Sequence, residues 1–257
     1  GDYFSNSSIA HERLVRHSEG YTGDQLVLDD VYWGLWGSLE QALLEGTSPL
    51  ENPLFYADPR NTERLITALH RDALAIAPRV VQLTPLDNPK SLLDLGGGAG
   101  TYAMAFCDRY PELKATIFDL PTTTKVTRRI VRTTGAAGRI TVVDGNFLTD
   151  ALVGEYDAVV MSNVLHGQQE KQNIDLFRKV IDATAPGGTL VIRDVLMNET
   201  LVAPAWGAVF AVNMLLHTGI GRCYSVQEVS TWLAGAGFTG IREVQRNELL
   251  IARKPEP

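Results

Sequence analysis

Apolar and polar positions along the chain change their rhythm near residue 90. Before it, VYWGLWGSLEQALLEG (31–46) places apolar residues three and four apart and stops at a glycine, which predicts a helix with Gly46 as its C-cap. NPLFYADPRNTERLITALHRDALAIAPRVVQL (52–83) keeps that spacing and predicts a second helical stretch, opened by Asp58 or Asn61 and broken near Pro78. TPLDNPK (84–90) is a turn-rich boundary. Beyond it, short apolar runs alternate with amphipathic ones. SLLDL (91–95), KATIFDL (114–120), ITVVDGNF (140–147), YDAVVMSNV (156–164) and TLVIRDVLM (189–197) predict strands. TYAMAFCDRY (101–110), TTKVTRRIVRTTG (123–135) and QEKQNIDLFRKVIDATA (169–185) predict helices between them. APAWGAVFAVNMLLHTG (203–219) and SVQEVSTWLAGAG (225–237) predict two more, and TGIREVQRNELLIARK (239–254) a hairpin turning at Arg246–Asn247. Strands alternating with helices imply a parallel sheet covered on both faces. The expected fold class is α/β: a Rossmann-like, doubly wound sheet of seven strands, mostly parallel, with a C-terminal antiparallel hairpin. A helical N-terminal segment (1–85) precedes the sheet domain (86–257).

Composition narrows the function classes. With 45% hydrophobic residues in 257, the chain can bury a sizeable core without disulfides. A net charge of −7 and the lack of any basic run argue against nucleic acid as a partner. No apolar stretch reaches the ~18 residues of a membrane span, and no signal peptide is expected. Cys107 and Cys223 stand far apart and form no CxxC, which suits a reducing cytoplasm and ordinary packing roles.

The chemistry begins at LLDLGGGAGTY (92–102): a strand, a glycine loop and the start of a helix. Open α/β sheets bind nucleotides at such a turn, where glycines let the backbone approach a ligand. Two ligands compete for it. The dinucleotide pattern G-x-G-x-x-G fails from Gly96, because residue 101 is Thr, yet passes in its looser form from Gly98 to Ala103. Asp94 stands two residues before Gly96, where it would repel a pyrophosphate. It suits S-adenosylmethionine, which carries an ammonium, a carboxylate and a sulfonium but no phosphate. Asp119 ends the second strand and can accept hydrogen bonds from both ribose hydroxyls of either ligand. The plain alternative is that Asp94 caps the loop and Asp119 a helix.

A strand that runs into HGQQE (166–170) raises a second candidate. His166 would sit at the carboxyl end of the fourth predicted strand, facing the same crevice. A phenol, with a pKa near ~10, is a poor nucleophile at neutral pH, and an imidazole can take its proton as the oxygen attacks a methyl carbon. Packing at a strand end is the plain alternative. No metal is expected, because His217, the nearest partner candidate, and His166 both lack an obvious neighbouring carboxylate. Trp33, Trp36, Phe55, Trp206, Phe210, Asn213, Met214 and His217 are candidates to line a flat, apolar acceptor pocket. Residues 206, 210, 213, 214 and 217 fall on one helical stripe. Plain core is the alternative for each of them.

LLDLGGGAG, FDLP, DGNF, SNVLH, APGGTLVIRDVL and YSVQEVSTWLAGAGF follow one another in the order and spacing of a known family. The chain resembles the small-molecule O-methyltransferases that include plant caffeate and flavonoid enzymes and bacterial antibiotic-tailoring enzymes. The resemblance covers nearly the whole chain and is strong from residue 91. GDYFSNSSIAHERLV (1–15) resembles the end of that family's N-terminal winged-helix dimerisation domain, so most of that domain is expected to lie before Gly1. In the family that domain swaps helices with a second subunit and lines its pocket, which implies a homodimer.

The resemblance implies that Gly96, Gly98 and Asp119 bind S-adenosylmethionine, with Asp94 and Leu120 beside them and S-adenosylhomocysteine as product. It sets Gly145, Asn146 and Phe147 against the adenine. The family commonly has an acidic residue in place of Gly145, for which Asp144 is expected to substitute. Ser162 stands where many plant members carry a lysine near the cofactor. His166 falls at the catalytic histidine, followed by Gly167-Gln168 instead of Asp-Trp. Of the two flanking glutamates of plant members, Asp194 lies near the place of the first, and Cys223, in GRCYS, replaces the second. The leading expectation is a cytoplasmic, homodimeric O-methyltransferase for a small aromatic or polyketide-like acceptor, with His166 as general base. Carbon or nitrogen methylation with the same cofactor is the alternative, motivated by the weakened surroundings of the base. An oxidoreductase is opposed by Asp94. A non-catalytic cofactor-binding regulator is opposed by the acidic charge and by His166.

Overall fold

The computed structural model describes residues 3–48 and 59–257. The pocket candidate Phe55 and the cap candidate Asp58 lie outside the described residues. The helical segment contains α1 (Ser8–Leu14), α2 (Gly23–Trp36), α3 (Leu39–Glu45) and α4 (Pro59–Leu83). The single helix expected over 31–46 is two, because the chain turns at Gly37–Ser38, where the Ser38 hydroxyl donates to Leu35 O at 2.7 Å. Gly46 does end α3, at φ 70°. Helix α4 runs through Pro78 without the expected break. Its buried face (Ile66, Ala77, Val80 and Val81 among others) packs on the helix that follows the glycine loop, and that burial outweighs the hydrogen bond that proline removes.

The sheet domain runs β1 (Ser91–Leu95), α5 (Thr101–Arg109), β2 (Lys114–Asp119), α6 (Pro121–Val131), β3 (Ile140–Asp144), β4 (Tyr156–Ser162), α7 (Glu170–Ala183) and β5 (Thr184–Arg193). It continues with β6 (Leu196–Met197), α8 (Ala205–Thr218), β7 (Tyr224–Ser225), α9 (Val226–Ala236), β8 (Thr239–Gln245) and β9 (Leu249–Arg253). Seven strands form one sheet in the order β3-β2-β1-β4-β5-β9-β8. The first five are parallel, and β9 pairs antiparallel with both β5 and β8. Strand β5 begins at Thr184, earlier than expected, with Pro186-Gly187-Gly188 inside it and an irregular register against Tyr156–Ala158. The pair β6–β7 is a separate two-stranded sheet, too short to leave a period in the sequence.

Alternation along the strands builds two cores. Leu92, Val160 and Val191 face α4 and α5, with Phe106, Cys107, Ala77 and Val80. Leu93, Leu95, Val159 and Met161 face α7 and α9, with Leu176, Phe177, Val180, Val229 and Leu233. Both faces of a parallel sheet are thereby removed from water. The chain order reverses at β1, between β2 and β4, and the carboxyl ends of these strands open the crevice where the chemistry lies.

Candidate active site

The loop after β1 crosses into the left-handed region at Gly96, Gly98 and Gly100. At Gly98 (φ 56°) a side chain would be strained, and its N–H donates to Asp119 Oδ2 at 2.8 Å. At Gly97 a Cβ would stand 2.7 Å from Asp94 Cγ. A cavity of about 120 Å³ results, with Asp94, Gly98, Thr101, Asp119, Ser162 and His70 in its wall. A groove of about 430 Å³ lies elsewhere, between Asn198 and Glu243, and shares no residue with this cavity.

Two carboxyls define the cavity's chemistry. Asp119 accepts from Gly98 N–H with one oxygen and from Leu120 N–H, at 2.7 Å, with the other. Burial raises its pKa, and those two N–H groups and Thr123 pull it back. Each oxygen keeps a lone pair for a ribose hydroxyl. Asp94 is fully buried, and its Oδ2 accepts from Ala103 N–H at 3.1 Å, capping α5. Its Oδ1 has no hydrogen-bond partner. Burial pushes Asp94 up to about 7, against the Ala103 N–H and with a contribution from Asp119. Oδ2 thus takes the capping role posed from the sequence, and Oδ1 is left over. The Tyr102 hydroxyl and Ser162 Oγ are buried in the same wall without a well-formed hydrogen bond. Ser162 is still close enough to draw the Tyr102 pKa back from the rise that burial imposes. No Lys or Arg lines the cavity among the described residues. A phosphate would meet two acids, whereas an ammonium, a sulfonium and a ribose diol find partners, so the residues present fit S-adenosylmethionine.

At the end of β3 the Asp144 carboxylate is held by Arg128 at 2.7 Å and by the Thr124 hydroxyl, both on α6, partners the sequence reading did not include. Thr124, then Arg128, lower its pKa. Gly145 is required by packing, since a Cβ there would stand 2.2 Å from the Phe118 ring. Asn146 shapes the turn, accepting from Leu148 N–H at 2.9 Å. The Phe147 ring lies against Gly96, at the edge of the loop.

His166 is placed by the end of β4. Asn163, at φ 57°, turns the chain; its N–H donates to Arg193 O at 2.8 Å and its Oδ1 accepts from the Arg193 guanidinium at 3.0 Å. A single 3-10 turn, Leu165–Gly167, then presents the imidazole. Its Nδ1 lies 2.6 Å from Asp194 Oδ1, and Leu165 N–H donates to Asp194 Oδ2 at 2.9 Å. Val195 N–H completes the carboxylate's shell at 2.8 Å. Burial alone would raise the Asp194 pKa; His166 and the N–H donors outweigh it and hold it below the usual range. Asp194 accepts Nδ1–H, which leaves Nε2 as the ring atom open to another partner. The Phe210 ring meets the imidazole edge-on at 5.0 Å. Gly221 lies against the backbone of this turn, where a Cβ would meet His166 O at 2.4 Å.

Cys223 packs against Val195 and Met197 beside this dyad. Burial first, then the charge of Asp194, push its thiol to about 12, so it supplies no second negative charge. Of the pocket candidates, Asn213 accepts from the Trp36 indole N–H at 2.9 Å, His217 meets the Tyr32 ring at 4.5 Å, and Met214 is buried between them on α8. Burial lowers His217 to about 4, so it is neutral at pH 7. Trp33 and Trp206 are displaced from the pocket: they are 83% and 59% exposed. On α2 the inward face carries Leu28, Tyr32 and Leu35, and Trp33 is turned away by roughly 100° from Tyr32. On α8 the first turn buries Gly207 against Met197, and Trp206 points outward. Thr101 and Tyr102 close the glycine motif without having been singled out, and His70 was not legible as a cleft residue, since helical position 70 looks like any half-buried histidine. Among the described residues no group of three His, Cys, Asp or Glu could hold a metal ion.

Residues 45–239 match the family model described as an O-methyltransferase domain. The chain is 29% identical to the 3-hydroxy-5-methyl-1-naphthoate 3-O-methyltransferase of Streptomyces sahachiroi, over 94% of this chain and 71% of that protein. It is 27% identical to the N,N-dimethyltransferase OxyT of Streptomyces rimosus, over 99% of this chain and 78% of that protein. The solved structure of human N-acetylserotonin methyltransferase in complex with SAM superposes with a TM-score of 0.82 at 23% identity, covering 97% of this chain and 75% of that one, a likeness of fold.

Proposed function

The chain belongs to the O-methyltransferase domain family, and on that premise we propose that it methylates a hydroxyl of a small aromatic or polyketide-like acceptor, with S-adenosylmethionine as donor and His166 as general base. The observation that carries the reading is the His166–Asp194 pair at 2.6 Å, set at the strand ends that open the cleft. When bound, S-adenosylmethionine supplies a methyl group on a sulfonium. Asp119 would hold its ribose and Asp94 its ammonium. Asp194 orients the imidazole, and Nε2 takes the phenol proton as the oxygen attacks, a contribution worth roughly 10²–10⁴ in rate. Trp36, Phe210, Asn213, Met214 and His217 are all uncharged, and as a wall they would suit a neutral, flat acceptor. The naphthoate enzyme among the relatives is consistent with that class.

Nitrogen methylation is the second reading, favoured by the likeness to OxyT and by a neutral Cys223 where a second carboxylate would strengthen the base. Incubation with methyl-labelled S-adenosylmethionine and a library of phenols and arylamines, read by mass spectrometry and NMR of the new methyl, decides between them. Methylated phenols support the first reading, and arylamine products alone overturn it. A homodimer in the cytoplasm belongs to the same proposal. Trp33, Leu43 and Leu44 stand exposed on α2 and α3, as an apolar face for a second subunit, and both cysteines are free and buried.

A further inference from the structure

We propose that His70 receives the carboxylate of the cofactor's amino-acid end, a role that rests on the assignment of the cleft to S-adenosylmethionine. His70 projects from α4 into the cavity wall, across from the glycine loop. It is the one ionisable nitrogen among the described side chains of that wall; the other titratable neighbours include Asp94 and Asp119, both acids. An amino-acid end brings one positive and one negative group. The unpartnered Asp94 Oδ1 suits the ammonium. The carboxylate would face two acids unless a donor stands against it.

His70 is set up as that donor. Its Nδ1 lies 2.8 Å from Thr101 Oγ1, and Thr101 is buried at the first position of α5. In the proposed arrangement the threonine hydroxyl donates to Nδ1, which puts the ring proton on Nε2. Nε2 has no hydrogen-bond partner among the described residues. Burial first, then Arg71, hold the His70 pKa below the usual range, which favours the neutral ring. Beside it, the first-turn N–H groups of Thr101 and Tyr102 have no intrahelical acceptor, and the positive end of α5 favours an anion at the same place. The imidazole Nε2–H and the helix end form one receptor, assembled from α4 and α5, with the Thr101 hydroxyl holding the ring.

Calorimetry on the purified chain separates this role from a structural one. S-adenosylhomocysteine is compared with methylthioadenosine, which keeps adenine, ribose and sulfur but lacks the amino acid. His70→Ala should weaken S-adenosylhomocysteine by about 10- to 100-fold, the value of a hydrogen bond to a charged group, and leave methylthioadenosine unchanged. His70→Gln keeps an N–H donor and should retain most of the affinity; it also serves if the alanine variant does not fold. Equal weakening of both ligands, or an unchanged S-adenosylhomocysteine affinity in His70→Ala, overturns the proposal. A wild-type chain that binds neither ligand overturns the cofactor assignment itself, a different failure from loss of the difference between them.

Discussion

A single buried carboxylate decides what His166 can do. Asp194 accepts the Nδ1–H hydrogen bond within a shell of two backbone N–H donors, and in the proposed reaction Nε2 is then the atom that meets the acceptor's proton. His166→Ala should lower kcat for a neutral phenol by at least ~10² while the affinity for S-adenosylhomocysteine stays unchanged. The loss should shrink for a nitrophenol, which is already ionised and needs no base; steady-state kinetics with both acceptors reads the difference. Asp94 makes the opposite bargain. Its folded pKa, about 7, lies above the ~3.9 of an unfolded aspartate. The native state therefore binds the proton more tightly, and stability falls as pH rises from about 4 to about 7, after which the loss is complete. Asp94→Asn removes that loss. Its Tm should match wild type near pH 4 and exceed it increasingly up to pH 7, while its affinity for S-adenosylhomocysteine falls. A thermal melt series across that window with a flat difference would refute the role of burial.

At the scale of elements, the turn between β4 and α7 is the part most exposed to substitution. Asn163 holds a left-handed backbone and is tied to β5 through Arg193, which in turn bonds Glu248 at 3.1 Å. A β-branched side chain costs about 1–2 kcal/mol in that conformation. Asn163→Val should lower Tm and reduce kcat more than cofactor affinity, because the segment it misdirects carries His166. Asn163→Gly should keep the turn and lose less. The strand itself was legible from YDAVVMSNV, down to its end within two residues. The turn was not, because an asparagine before an apolar pair gives no local sign of φ; its conformation comes from the neighbouring strand. Helix α4 teaches the converse. A proline inside it argued for a break, and packing of the helix's apolar face kept it whole.

For the whole molecule, the cleft joins two regions of the chain that fold against each other: α4 from the helical segment, and the glycine loop from the sheet. A ligand that fills it binds the native state alone and must stabilise it. S-adenosylhomocysteine should raise Tm in a concentration-dependent way, and NAD should not, because no Lys or Arg among the described residues of the wall awaits its pyrophosphate, which would meet two acids. Equal shifts by both would overturn the reading of the cavity. Sizing chromatography at several concentrations addresses assembly: a dimer is expected, and Trp33→Glu, on the exposed face of α2, should shift it toward monomer without loss of Tm for the separated chain.

What the sequence determined by itself is what lies within a few residues of itself. The period of two or of three to four, the glycines at strand ends and the order of strands and helices identified the sheet, the cofactor loop and the approach to His166. The tertiary structure alone decided the partnerships. Asp144 had no protein partner in the sequence reading until Arg128, on the preceding helix, took its carboxylate. Trp33 and Trp36 read alike until Trp36 met Asn213, 177 residues on, and Trp33 was left in water. His70 became a wall of the cleft only when α4 was laid along α5. Periodicity is written in neighbours along the chain; which face meets which, and which hydrogen bond a polar group accepts, depends on residues brought together only by folding.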